Sequence, residues 1–351
     1  MRNIPYISII VPAKNEERQI ERSIQSLLAQ DYPKDKYEVI VVDGDSSDNT
    51  KKIMREYHVK IVDGGCNPAE ARNIGVAHSK GEILAFTDAD CIATPDWLKN
   101  LVPKFETKTV GGVGGGLRAL RTGSMVSLLA DITTQATYRG FITSNVAYRR
   151  DVFEEVGGFD SRLVCGEDSD LWWRVLDRGY EVPFEQKATV CHAPIENRAI
   201  LPNLKKEFWY AKSDVRLFVK RIGTILKKKN NVAVRESWRL IKPTGTNAAI
   251  VLLFVSSALQ PVILVVPSIL LGIKSIKKAI TAMPYIDEKK IIPVLVCYYG
   301  MQSVIRGCGT MVGMAGYLLH SFQQVLLHKH ESSEKEQIVS GEQRRITRET
   351  S

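Results

Sequence analysis

Two carboxylates one residue apart, in Thr87-Asp88-Ala89-Asp90, are the residues of this chain that most directly suggest chemistry. They follow an apolar run, Ile83-Leu84-Ala85-Phe86, and precede a helix start at Thr94-Pro95-Asp96. That places them at the C-terminal end of a buried strand, the end at which open α/β sheets bind ligands. Paired carboxylates there suit a hard divalent cation, Mg²⁺ or Mn²⁺, itself held on a phosphate-bearing substrate. The rival reading is an Asp-rich turn that only caps the next helix. The pair by itself does not decide between them.

The elements around this turn follow from hydrophobic period. Residues 1 to about 110 alternate strand and helix signals. Ile7 to Val11 is a β-branched run, and Ile20, Ile24, Leu27 and Leu28 fall on one helix face. Tyr37 to Val42 reads as a second strand ending at Asp43, with Asp45 and Asp48 as caps for a helix reaching about Tyr57. Val59 to Val62, a helix over Pro68 to Ser79, and a strand over Glu82 to Thr87 complete the pattern. Such alternation predicts crossover connections and a parallel sheet. Further on, the run Gly111 to Gly116 lacks the Lys-Ser/Thr ending of a phosphate loop, so it reads as a strand or bend with close backbone approach. Short helices are predicted over Asp151 to Val156 and Asp168 to Arg178.

Composition bounds the rest. The chain has 351 residues, 44% hydrophobic and 25% charged, enough for one large or two ordinary domains. Met1 to Pro5 leads straight into a strand pattern, so no secretory leader is expected. Six cysteines form no Cys-x-x-Cys pair and no zinc spacing, which points to reduced thiols and a cytosolic setting. The net charge is +9, and the stretch Pro202 to Lys242 accounts for all of it, with eight Lys and four Arg against Glu207, Asp214 and Glu236.

From Thr246 the composition changes. Asn247 to Ile273 holds no Lys, Arg, Asp or Glu over 27 residues, and a bilayer core takes about 20 apolar residues. A second apolar stretch, Ile291 to Leu327, is broken by Arg306, which at mid-bilayer would cost about 2.5–3.5 kcal/mol. Gly309 and Gly313 give the small-x-x-x-small spacing of closely packed helices. Two simple spans conflict with the five Lys between 274 and 290, which the positive-inside tendency would place in the cytoplasm. The organisation expected is therefore a catalytic domain over 1–200, basic interfacial helices over 201–245, a membrane region over 246–327 with spans near 247–273 and 291–327, and a polar disordered tail over 328–351.

The motifs also occur in a familiar order. Val11-Pro12-Ala13-Lys14-Asn15-Glu16, then Val41-Val42-Asp43-Gly44-Asp45-Ser46-Ser47-Asp48-Asn49-Thr50, Ala71-Arg72-Asn73-Ile74-Gly75, Lys80-Gly81-Glu82 and Asp88-Ala89-Asp90 precede Thr143-Ser144-Asn145, Gly157-Gly158-Phe159-Asp160 and Gly166-Glu167-Asp168. This order resembles a family-2 glycosyltransferase over roughly residues 6 to 215. The resemblance implies an α/β GT-A fold, a Rossmann-like, mostly parallel mixed sheet flanked by helices, followed by the interfacial and transmembrane helices. It implies that Pro12, Lys14 and Glu16 line the nucleotide pocket, that Asp43 bonds the base or ribose, and that Arg72, Asp88 and Ala89 lie at the nucleotide sugar. Asp90, Asp88 and His192 are the implied metal ligands, Asp168 the general base and Glu167 its acceptor-binding neighbour. His192 as a lone histidine reads equally as structural, and the acids at 167 and 168 also suit a helix N-terminus.

The acidic pair bears on the acceptor. A phosphate acceptor is already ionised, whereas a hydroxyl must lose a proton as it attacks. Glu167-Asp168 therefore favours a lipid or glycan hydroxyl, and residues 196 to 209 lack the Gln-x-x-Arg-Trp motif of processive relatives, so single-sugar transfer is expected. Phe208, Trp209 and Tyr210 among basic residues suit a membrane surface rather than nucleic acid. The expected location is the cell membrane, as an integral protein with a cytoplasmic catalytic domain. A polyprenyl-phosphate sugar synthase, a sugar-nucleotide pyrophosphorylase and a non-catalytic membrane scaffold are the competing readings. The sequence does not bear on oligomeric state.

Overall fold

The computed structural model describes residues 4–120, 141–163 and 165–192. Beyond these it describes 128, 131–132, 205, 208–212, 215–217, 219–221, 246, 249, 265–283, 292–294 and 296–315. Eight strands form one sheet in the order β3-β2-β1-β4-β7-β6-β8-β5. They are β1 Ile7–Ala13, β2 Tyr37–Asp43, β3 Lys60–Asp63, β4 Ile83–Phe86, β5 Cys91–Ala93, β6 Gly112–Ala119, β7 Val146–Arg149 and β8 Phe184–His192. The first four are parallel neighbours, as the βαβ alternation predicts. Beyond β4 the sheet is mixed: β7 runs antiparallel to β4 and β6, β8 is parallel to β6, and β5 is antiparallel to β8. The sequence reading had no strand at β5 or β7. Each is too short to carry a period and is fixed by its neighbours.

The helices are α1 Ile20–Leu28, α2 Thr50–Met54, α3 Pro68–Ala77, α4 Trp97–Leu101, α5 Arg150–Glu155, α6 Glu167–Asp177 and α7 Val265–Ala282. Alternate residues of β1 divide between two cores. Ile7, Ile9 and Val11 pack with α1 and α4, while Ile10 joins α3, α5 and α6 around Phe86 and Tyr148. Helices thus cover both faces of the sheet around its buried strands β1, β2 and β4, as buried parallel strands require. The α2 helix is shorter than predicted, because Asp45 turns left-handed at φ 63 and Asp48 instead bonds the Thr50 and Glu17 amides.

The glycine run does what close approach predicts. Asn145 sits beneath β6 and donates to Gly116 O at 2.7 Å and Ala188 O at 2.8 Å, while accepting from Trp97 Nε1 at 2.8 Å. A Cβ on Gly115 would collide with that amide and with the Ala188 carbonyl. None of the six cysteines is paired in a disulfide.

Among the described residues no helix is long and apolar enough to cross a membrane. Residues 265–273, expected as the end of the first span, form the first half of α7, which continues through Lys274, Lys277 and Lys278. Most of the first predicted span, the end of the second, and the tail over 328–351 lie outside the described residues. The helical residues 296–315 pack on Phe208, Ala211, Lys212 and Val215. A Cβ on Gly309 would meet Phe208 O, and one on Gly313 would meet Lys212 O, so this small-x-x-x-small spacing does mark a tight helix contact. The basic segment is itself bound to the sheet domain. Lys220 Nζ lies 2.6 Å from Asp160 and 2.7 Å from Asp170, and Arg221 pairs with Asp177 on α6.

Candidate active site

The C-terminal ends of β1, β2 and β4 open on a cleft of about 910 Å³. Pro12, Lys14 and Glu16 enter it from the loop after β1, and Gly44 from the loop after β2. These loops are stitched together: Asn15 N–H donates to Ser46 Oγ at 2.9 Å, Ser47 N–H to Asn15 Oδ1 at 2.8 Å, and Glu16 N–H to Thr50 Oγ1 at 2.7 Å. Asp43, at the tip of β2, is buried just behind Gly44. Its Oδ2 accepts from Ser46 N–H at 3.1 Å, and its Oδ1 is buried without a hydrogen bond among the described residues. A buried carboxylate oxygen is costly to leave unpaired, so this atom is a ready acceptor for a ligand hydroxyl or N–H.

The turn after β4 carries Asp88, Ala89 and Asp90 into the cleft, closed by Cys91 N–H donating to Asp88 O at 3.0 Å. The two acids have different surroundings. Asp88 Oδ1 lies 2.7 Å from Arg72 Nη2, and Asp88 Oδ2 accepts from Ser144 Oγ at 2.7 Å. Burial alone would raise the Asp88 carboxyl, but Arg72 and the Ser144 hydroxyl outweigh it and hold it below the ordinary value. Asp90 faces His192, with Oδ2 3.3 Å from Nε2. The β5–β8 register sets this meeting by pairing Cys91 with His192.

Asp90, His192 and Cys91 offer ligand atoms within 4.8 Å of one another. The Cys91 thiol is fully buried, and burial pushes its pKa well above the ordinary value, so it stays a protonated packing group. A carboxylate and an imidazole remain. This donor set fits a divalent ion that takes its other ligands from water and substrate phosphates. Asp88, with both oxygens already bonded, stands beside this pair as a bridge to Arg72.

Opposite the β4 turn, α6 begins at Gly166, whose φ of 80 lies in the left-handed region. A side chain there would be strained and would press on Leu217. That turn aims Glu167 and Asp168 into the cleft. Burial, then the Glu167 carboxylate beside it, raises the Asp168 carboxyl to about 7. Arg72 spans the gap: Nη1 is 2.9 Å from Glu167 Oε1 while Nη2 holds Asp88. Its side chain is only 4% exposed, and it lies 5.8 Å over the Phe159 ring. The resemblance placed Arg72 at the nucleotide. It does line the cleft, but its fork is occupied by carboxylates from the turn after β4 and from α6. Phe141, Trp209, Tyr210, Leu217 and Arg306 also line the cleft. The sequence had marked Thr143-Ser144-Asn145 without a role; Ser144 braces Asp88, and Asn145 fixes the sheet beneath it.

A mixed sheet with paired acids at its strand tips and an acidic helix start facing them is the GT-A arrangement of nucleotide-sugar glycosyltransferases. The Glycosyl transferase family 2 profile matches residues 8–157. Glycosyltransferase AglE from Haloferax volcanii is 32% identical over 231 residues, 62% of this chain and 75% of that protein. Probable glycosyltransferase YdaM from Bacillus subtilis is 29% identical over 214 residues, 52% of this chain and 50% of that protein. The structure of mannosyltransferase PcManGT from Pyrobaculum calidifontis in complex with GDP-Man and Mn²⁺ superposes with a TM-score of 0.57 at 22% identity, covering 87% of this chain and 88% of that one. The chain belongs to glycosyl transferase family 2.

Proposed function

We propose that this glycosyltransferase moves one sugar, with inversion, from a nucleoside-diphosphate sugar to a hydroxyl of a lipid-linked or other membrane-associated acceptor. The observation that carries this reading is the meeting, across one cleft, of the Asp88–Asp90 turn with Glu167 and Asp168. Asp43, with its unpartnered buried oxygen, takes the base or ribose, and Pro12, Lys14 and Glu16 frame it. Asp90 and His192 would hold Mn²⁺ or Mg²⁺, which when bound offsets the negative charge developing on the leaving diphosphate. Asp88 bonds the ribose or a water, kept ionised by Arg72 and Ser144. Asp168 takes the proton from the attacking hydroxyl; a carboxyl raised to about 7 is a better base at neutral pH than an ordinary one. Glu167, held by Arg72, orients the acceptor.

An acidic pair at the attacking side repels a phosphate nucleophile, which argues against a polyprenyl-phosphate sugar synthase. The membrane reading is supported by the face of α7, where Ile269, Ile273, Ile276 and Ile280 are all exposed at helical spacing, and by the uncharged run 247–273. With it we propose a sheet domain on the cytoplasmic side. The test is Asp168→Asn. Donor and Mn²⁺ binding, measured calorimetrically across a panel of sugar nucleotides, stays within error, while transfer falls by roughly 10²-fold or more. Wild-type-like transfer by a folded Asp168→Asn variant would remove Asp168 from the mechanism.

A further inference from the structure

Tyr148 stands in the middle of the sheet, on β7, paired with Leu84 of β4 on one side and Gly112 of β6 on the other. It is wholly buried, in one cluster with Phe86, Phe153 and Phe159, where a phenylalanine would pack as well. Its hydroxyl is buried without a hydrogen bond among the described residues. A buried polar group with no partner lowers stability, so the oxygen calls for a reason. The ring is held in place: a Cβ on Gly112 would strike its Cδ1 and Cε1 atoms at 2.5 and 2.7 Å.

Helix α6 supplies the neighbour. Asp168, Leu171 and Val175 fall at spacings of three and four and so share one helix face. Leu171 and Val175 pack in the Tyr148 cluster. Asp168 thus continues toward the cleft the face that covers the Tyr148 ring, and it lines the cleft as well. Burial first, then the Asp168 charge, holds the phenol far above its ordinary value, so it stays a protonated donor. Arg174, the other charge acting on it, can only donate, and its fork is spent on Asp170 and on the Val156 and Gly158 carbonyls. Asp170 is itself held by Arg174 and Lys220. Asp168, whose Oδ1 accepts from Ser169 N–H at 2.6 Å, is the acceptor this arrangement offers.

We infer that Tyr148 is a positioning residue for the transfer, its hydroxyl donating to the Asp168 carboxylate from the core side once the donor sugar fills the cleft. In the open cleft water solvates Asp168. A bound sugar expels that water, and a donor fixed in the core then keeps the carboxylate ionised and aimed at the attacking hydroxyl. The phenol keeps its own proton throughout. The assignment rests on Asp168 being the base, as proposed above.

Donor hydrolysis, with water as the attacking group, tests it on the full chain in neutral detergent with Mn²⁺ and a panel of UDP- and GDP-sugars. Tyr148→Phe removes only the oxygen. Its kcat should fall about tenfold or more, with the donor KM unchanged and the melting temperature equal to or above that of the wild type. In an Asp168→Asn background the same substitution should cost no further rate, because the carboxylate it serves is gone. Wild-type kcat in Tyr148→Phe, or an equal loss in both backgrounds, would overturn the assignment while leaving Asp168 as base. Undiminished hydrolysis by Asp168→Asn, or none by the wild type, would overturn the transfer reading and this assignment with it.

Discussion

If Asp168 is the base proposed above, it links stability and rate through one proton. Its carboxyl is raised in the folded chain, so the native state holds that proton more tightly than the unfolded state does. Its favourable contribution is complete below the ordinary carboxylate value and is lost as pH rises through about 7. Asp168→Asn cannot titrate. Its melting temperature relative to wild type should therefore climb between about pH 4 and pH 7 and then level off, as differential scanning would show. Transfer should fall on the acid side with a midpoint near 7. Because Glu167 is one cause of the raised value, Glu167→Gln should move that limb of the kcat/KM profile to lower pH. Asp90→Asn and His192→Ala should each weaken Mn²⁺ binding by about tenfold or more, with the sheet intact. Periodicity marked the strand and helix ends that carry Asp43, Asp88, Asp90, Glu167 and Asp168, and the motif order alone suggested their roles, so their place in the chain was legible. The part played by Arg72 was not, since its partners Asp88 and Glu167 lie 16 and 95 positions away.

The elements divide the same way. β1, β2 and β4 are buried on both faces and read as continuous β-branched and apolar runs. β5 and β7, of three and four residues, exist because neighbouring strands pair with them. The start of α6 depends on Gly166 more than on propensity. Gly166→Ala should lower stability by about 1–2 kcal/mol from the left-handed backbone alone, with further loss from contact with Leu217. A urea midpoint measures the first effect. A larger proportional loss of transfer than of stability would show that the turn aims Glu167 and Asp168.

For the molecule as a whole, the basic segment was read from sequence as a membrane-facing surface. Its charge pattern could not reveal that Lys220 and Arg221 answer acids on Asp160, Asp170 and Asp177. Lys220→Met should cost roughly 1 kcal/mol, the Lys being partly exposed, and the loss should shrink in high salt. Faster amide exchange over 167–177 would locate it. The β5–β8 pairing carries one more consequence. Asp90 leaves the ribosome about a hundred residues before His192, and the two meet only when the last strand of the sheet takes its place beside β6 and β5. A nascent chain cannot assemble that pair early. Any ion held by that pair would thus depend on the finished sheet, so metal affinity should appear only once the last strand has paired.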